Sequence, residues 1–207
     1  MSLKITGGRL KGRKLLSLPH CKARPTTSML RQALFNILQN QIEGALFLDL
    51  FAGSGIMGIE ALSRGAKSVI FVEKERAVAK KIEENLKELD LSEKGQVICR
   101  PVLKALSLIN AEKIKVKDSE KGKEQKAFDL VYADAPYSFF EKKDEGFLFV
   151  KELLSALKTE SLIKEQGIVF IEAPASFKKH LNDFEIIDWE LKELRQYGSS
   201  LLAIFNS

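Results

Sequence analysis

Two hydrophobic rhythms alternate along this chain, and the switches between them mark its elements. From Leu46 onward, Leu46–Phe51, Ser68–Glu73, Gln96–Arg100, Phe128–Ala133 and Gly167–Glu172 are short runs rich in Leu, Ile, Val and Phe. Such runs predict strands buried on both faces. Between them, Ile56–Arg64, Arg76–Leu89 and Phe147–Leu157 repeat their apolar positions at helical spacing. Strand and helix in alternation predict a parallel sheet with helices on both faces. Phe184–Trp189 and Leu201–Phe205 read as a closing antiparallel pair. The expectation is an α/β, Rossmann-like, mostly parallel sheet of seven strands. Its ligand belongs beyond the carboxyl ends of the strands, where the strand order reverses.

Before Glu43 the rhythm is different. Leu3 to Leu15 alternates apolar and polar residues and is interrupted by Gly7-Gly8 and Gly12, which predicts a short hairpin. Arg24-Pro25-Thr26-Thr27 reads as an extended entry, and Leu30, Ala33, Leu34, Ile37 and Leu38 predict a helix from Ser28 to Asn40. The chain therefore divides into a hairpin-helix extension, residues 1–43, and a body, residues 44–207. Residues 111–126 mix charges of both signs with few apolar side chains and read as a solvated insertion.

Charge sharpens that division. The net charge is +5, yet eight basic residues and no acid precede Glu43, and the remaining 25 basic residues face all 28 acids, a net of −3. A basic arm on a mildly acidic body points to a polyanionic partner. No apolar run approaches the roughly 20 residues of a membrane span. The basic N-terminus has no apolar signal core, so the chain reads as cytoplasmic with no membrane partner. Cys21, Cys99, His20 and His180 show no metal-ligand spacing, so no metal is expected.

The candidate chemistry sits at strand ends. Asp49-Leu-Phe51-Ala52-Gly53-Ser54-Gly55-Ile-Met-Gly58 is an acid followed by a glycine-rich turn into a helix. Glu73 ends the next strand, placed to take both hydroxyls of a ribose. The pair indicates an adenosine-bearing cofactor, and fits NAD as well as S-adenosylmethionine. Asp134-Ala135-Pro136-Tyr137 adds an acceptor, a stiff turn and an aromatic ring beside that site. Methylating an exocyclic base amine calls for this set. The carboxylate of Asp134 and the carbonyl of Ala135 would accept the amine hydrogens and favour a pyramidal nitrogen. Tyr137 would stack on the extruded base. This chemistry suits guanine N2 and adenine N6 alike. A nicotinamide oxidoreductase and a non-catalytic RNA-binding scaffold are the other readings.

Several segments together resemble the bacterial small-subunit ribosomal RNA guanine-N2 methyltransferases of the RsmD type. They are Ile5-Thr-Gly7-Gly8, Arg24-Pro25-Thr26, Arg31-x-Ala-Leu-Phe35-Asn36, Asp49 to Gly55, Gly58-x-Glu60-Ala61-x-Ser63-Arg64-Gly65-Ala66, Phe71-Val-Glu73, Asp134 to Tyr137 and Tyr197-Gly198. The resemblance implies a class I S-adenosylmethionine-dependent methyltransferase fold. It places Asp49, Phe51, Ala52, Gly53, Ser54, Gly55, Glu73, Lys74 and Val102 at the cofactor, and Asp134 to Tyr137 at the acceptor amine. It also implies that Arg9, Lys11, Arg13, Lys14, Arg24 and Arg31 bind small-subunit ribosomal RNA, alone or in a partly assembled 30S particle, with the protein a monomer. Two departures stand out. Ala135 replaces the family's first proline, so the turn loses a fixed φ. Pro101 stands where the family often has a polar contact to the adenine, so backbone groups near Val102 are expected to take over.

Overall fold

The structure is a computed structural model and describes residues 3–16, 28–110, 127–181 and 186–207. Its elements are α1 (Ser28–Ile37), β1 (Leu46–Leu50), α2 (Ile56–Ser63), β2 (Ser68–Glu73), α3 (Arg76–Glu88), β3 (Gly95–Cys99), α4 (Val102–Asn110), β4 (Phe128–Asp134), α5 (Lys143–Thr159), β5 (Ile163–Pro174), α6 (Lys178–Leu181), β6 (Glu190–Tyr197) and β7 (Ser200–Asn206). The strands form one seven-stranded sheet in the order β3-β2-β1-β4-β5-β7-β6. β1 to β5 pair in parallel, and β7 runs antiparallel between β5 and β6. The order reverses between β1 and β4, so a crevice opens where their carboxyl ends diverge.

β1 is buried at every residue because helices cover both sides of it. Leu46, Leu48 and Leu50 face a layer with α4 and α5, among Leu106, Ile109, Leu153 and Leu157. Phe47, with Val69 and Phe71 of β2, faces a second layer with α1, α2 and α3, among Leu34, Phe35, Ile59, Leu62 and Ile82. Each such side chain contributes about 1.5–3 kcal/mol by leaving water.

The predicted first member of the closing pair is displaced. The strand beside β7 is Glu190–Tyr197 and not Phe184–Trp189; Ile186 and Trp189 form only an isolated bridge, and residues 182–185 lie outside the described set. The reason is position. β6 is a sheet edge, with in-strand ion pairs Glu190–Lys192 and Glu193–Arg195 and a register shift between Leu191 and Glu193. Charged residues on an edge hide the apolar alternation while protecting the strand from unwanted pairing. Helix α4 was not anticipated either. It starts right after Pro101, whose carbonyl accepts the Ala105 N–H at 3.0 Å.

The N-terminal hairpin is present and joined to the body. Ile5 N–H donates to the Arg13 carbonyl at 3.0 Å and Leu15 N–H to the Leu3 carbonyl at 2.9 Å. Ile5, Leu10 and Leu15 are buried in the layer with α1, α2 and α3. The hairpin seats on the end of α2. Arg9 N–H donates to the Ser63 carbonyl at 2.8 Å, Leu10 N–H to Ser63 Oγ at 3.0 Å, and Ser63 Oγ to the Gly7 carbonyl at 2.7 Å. Gly8 has a φ of +74°, and a Cβ there would sit 1.9 Å from the Ser63 carbonyl oxygen, so the approach requires glycine.

Candidate functional site

At the carboxyl end of β1 the chain turns sharply. Phe51 takes a left-handed φ of +60°, unusual for a bulky residue. Ala52 N–H donates to the Val72 carbonyl at 2.9 Å, and Gly55 N–H closes the loop on the Ala52 carbonyl at 2.7 Å. Gly55 then starts α2 from a left-handed φ of 73°, which a side chain rarely adopts. The two acids at the strand ends hold this loop in shape. Asp49 Oδ2 accepts the Gly58 N–H at 2.9 Å. Glu73 Oε2 accepts the Gly53 N–H, and its Oε1 the Glu75 N–H, each at 2.9 Å. Burial pushes the Asp49 carboxyl well above the usual carboxylate range; the Gly58 N–H opposes this, while the charges of Asp134 and Glu73 push further upward.

These residues fit an adenosine-bearing group. Glu73 spends two of its roughly four acceptor positions on the backbone, leaving lone pairs for ribose hydroxyls. Ser54 Oγ receives only a long contact from the Ile56 N–H, 3.4 Å. Lys74 is exposed beside Glu73, and its carbonyl faces Cys99 Sγ at 3.6 Å. Val102, the first residue of α4, is buried. Proline 101 offers no side-chain acceptor, and its carbonyl is engaged by the helix.

Across the crevice, β4 ends in Asp134, followed by buried Ala135 and by Pro136 at φ −50°. A short 3-10 turn, Tyr137–Phe140, follows, with Phe139 N–H donating to the Pro136 carbonyl at 3.0 Å. Tyr137 Oη and Ser200 Oγ of β7 are 2.9 Å apart, which ties the tyrosine to the antiparallel end of the sheet. The exposed Phe139 ring meets Phe51 and Phe149 edge to face, with centroids 6.0 and 4.8 Å away. Side chains two apart along a strand, and register partners on neighbouring strands, share a sheet face. The register Asp49↔Phe71, Asp49↔Tyr132 and Asp134↔Glu172 therefore puts Glu73, Asp49, Asp134 and Glu172 on one face at one edge.

Glu172, Tyr132 and Ser200 escaped sequence reasoning. Glu172 carried a signal: it is an acid that follows an apolar run, as Asp49, Glu73 and Asp134 are. Ser200 carried none, because only the tertiary fold brings it to Tyr137.

The basic residues divide. Arg9, Lys11, Arg13 and Lys14 are exposed on the hairpin, and Arg24 lies outside the described residues. Arg31 departs from expectation. It is 2 % exposed, pairs through Nε with Glu60 Oε2 at 2.8 Å, and donates from Nη2 to the Lys4 carbonyl at 2.9 Å. Its guanidinium is spent inside the protein, fastening α1 and the hairpin to α2, and does not face an RNA. Fully buried Glu60 also pairs with Arg64 Nη2 at 2.8 Å and accepts from the Thr6 N–H at 3.1 Å and the Thr6 hydroxyl.

Comparison with known proteins agrees with this architecture. A family model described as conserved hypothetical protein 95 matches residues 3–206. The putative rRNA methyltransferase YlbH of Bacillus subtilis is 31% identical over 170 residues, 82% of each chain. The ribosomal RNA small subunit methyltransferase D of Haemophilus influenzae is 32% identical over 171 residues, 82% of this chain and 78% of that one. Among solved structures, a putative methyltransferase, yhhF, from Escherichia coli superposes with a TM-score of 0.74 at 26% identity, covering 100% of this chain and 98% of that one. A putative methyltransferase, SMU.776, complexed with SAH shares the fold with a TM-score of 0.62 at 14% identity, covering 86% of this chain and 49% of that one. With a family model matched across nearly its whole length and relatives above 30% identity, the chain belongs to the RsmD-type methyltransferase family.

Proposed function

We propose that this protein methylates the exocyclic N2 amine of a guanine in small-subunit ribosomal RNA. The observation that carries this reading is the placement of Asp134–Tyr137 across the crevice from the glycine loop. Asp134 also shares a sheet face with Asp49 and Glu73. S-adenosylmethionine is the donor and supplies an electrophilic methyl group on a sulfonium. Glu73 holds its ribose, Asp49 keeps the loop from Phe51 to Gly55 in shape, and Val102 and Lys74 border the adenine.

The acceptor amine is a poor nucleophile because its lone pair is delocalised into the ring. The Asp134 carboxylate and the Ala135 carbonyl accept its two hydrogens and favour a pyramidal nitrogen. Tyr137, steadied through Ser200, stacks on the extruded base. Orientation and fixed charge do the work, with no strong base required. Arg9, Lys11, Arg13 and Lys14 contact RNA phosphates from outside the site. One chain carries both parts, so the protein acts as a monomer, in the cytoplasm, on naked RNA or a partly assembled 30S particle.

The test is to incubate the protein with labelled S-adenosylmethionine and either form of the substrate, then identify the product nucleoside by mass spectrometry. N2-methylguanosine at one position is expected. Methyl transfer to adenine N6 in DNA, or to no nucleic acid, overturns the reading.

A further inference from the structure

The sheet face that carries Asp134 also carries a carboxylate that the scheme above does not use, that of Glu172. Glu172 of β5 is the register partner of Asp134 and so stands on the same sheet face, one strand away, about 4.8 Å in a parallel sheet. It is 4 % exposed. Among the described residues no cation pairs with it; its one hydrogen bond comes from the Tyr132 hydroxyl at 2.6 Å. Burying a carboxylate beside a second carboxylate, with a neutral partner, costs free energy. A single phenolic donor satisfies one oxygen and leaves acceptor capacity on the other. In a site that receives a base, that capacity is an incentive for a donor.

Guanine supplies the donor. Its N2 amine is flanked by the N1–H, so the edge presented to Asp134 carries a second hydrogen pointing the same way. Adenine presents its N6 amine beside an N1 lone pair, which a carboxylate would repel. A base held through its Watson–Crick edge is read by such pairs. We infer that Glu172 is a specificity-determining residue that accepts the guanine N1–H while Asp134 accepts the N2 amine, with Tyr132 orienting it. This inference rests on the guanine reading above and gives that reading a physical basis: two adjacent acids match guanine and mismatch adenine.

The test is a cycle of two bases and two proteins. Small-subunit RNA is prepared with guanine or 2-aminopurine at the position that mass spectrometry shows to be methylated. 2-Aminopurine keeps the N2 amine and replaces the N1–H with a lone pair. The wild-type protein is expected to prefer guanine by about 100-fold in kcat/KM, because a site built around a donor rejects an analogue lacking it. Glu172→Gln, whose amide donates as well as accepts, is expected to lose most of its guanine activity and bring the two bases within about 3-fold of each other, with cofactor affinity unchanged. Equal wild-type rates on the two bases overturn the inference without any variant being needed. So does a Glu172→Gln protein that slows both bases equally. Should the wild type methylate no guanine at all, the proposed function fails, which is a distinguishable result.

Discussion

Asp49 illustrates how much a single residue can be asked to do. It stands next to last in β1, holds the Gly58 N–H and sits fully buried near two other acids. Its folded carboxyl keeps a proton to higher pH than the unfolded one does. The folded state therefore binds more protons in that window, and stability falls as pH rises through the raised folded value. Asp49→Asn keeps the acceptor for Gly58 without the charge. It should raise the melting temperature at pH 8 by a few degrees, about 3 °C per kcal/mol. That advantage should vanish near pH 4, and thermal unfolding across this range checks it. In the proposed reaction Asp134 holds the acceptor amine. Asp134→Ala is expected to lower kcat at least about 100-fold while leaving cofactor affinity within a few-fold, read by single-turnover kinetics and calorimetry. Wild-type-like turnover would remove its assigned role. Both acids were visible in the sequence because an acid ending an apolar strand is conspicuous. What each acid touches was not: Glu73 and Asp49 clasp backbone N–H groups nine to twenty residues away, a pairing that only the folded loop creates.

At the scale of elements, legibility followed burial. β1, β2, β4 and β7 are buried, and their apolar runs announced them. β6 lies at the edge and is half charged, so it lacks an apolar pattern, and the apolar run that precedes it in the chain mimics the strand. Helix α4 is hidden in the sequence because its only start signal is Pro101, which precedes a short apolar stretch with no flanking cap residue. Arg31 differs from expectation for a related reason: a basic residue in a basic arm looks like surface until its partner, Glu60, is known. That partnership makes a prediction about α1, α2 and the hairpin together. Glu60→Gln leaves Arg31 and Arg64 without their shared carboxylate in the interior, and should cost about 3–5 kcal/mol in chemical denaturation. Thr6→Val removes one hydroxyl from the same cluster and should cost about 1 kcal/mol. A smaller loss for Glu60→Gln than for Thr6→Val would show the carboxylate is not the hub.

For the whole molecule, the question is how a hairpin and a crevice serve one substrate. The exposed cations Arg9, Lys11, Arg13 and Lys14 lie on a hairpin bonded to the end of α2, so under the proposed function an RNA that met them would be held in a fixed direction relative to the site. Replacing Arg9 and Arg13 by Glu should weaken RNA binding and lower the slope of log K against log salt by about 1 to 2, since each phosphate contact contributes somewhat less than one. Cofactor titration should be unchanged, and an unaltered salt slope would mean the RNA docks elsewhere.

The mount itself is α2. All eight of its residues are buried, its first turn adjoins the glycine loop, and its last residue carries the hairpin. It is a rod of about 12 Å with no wet side. In a saturation library of variants, most surface helices show a tolerance that rises and falls every three to four positions. This one should show none. Its record of permitted changes should be a flat, unbroken block, and a one-residue insertion should be refused at every point, because lengthening the rod would swing the hairpin end about 100° around its axis relative to the loop.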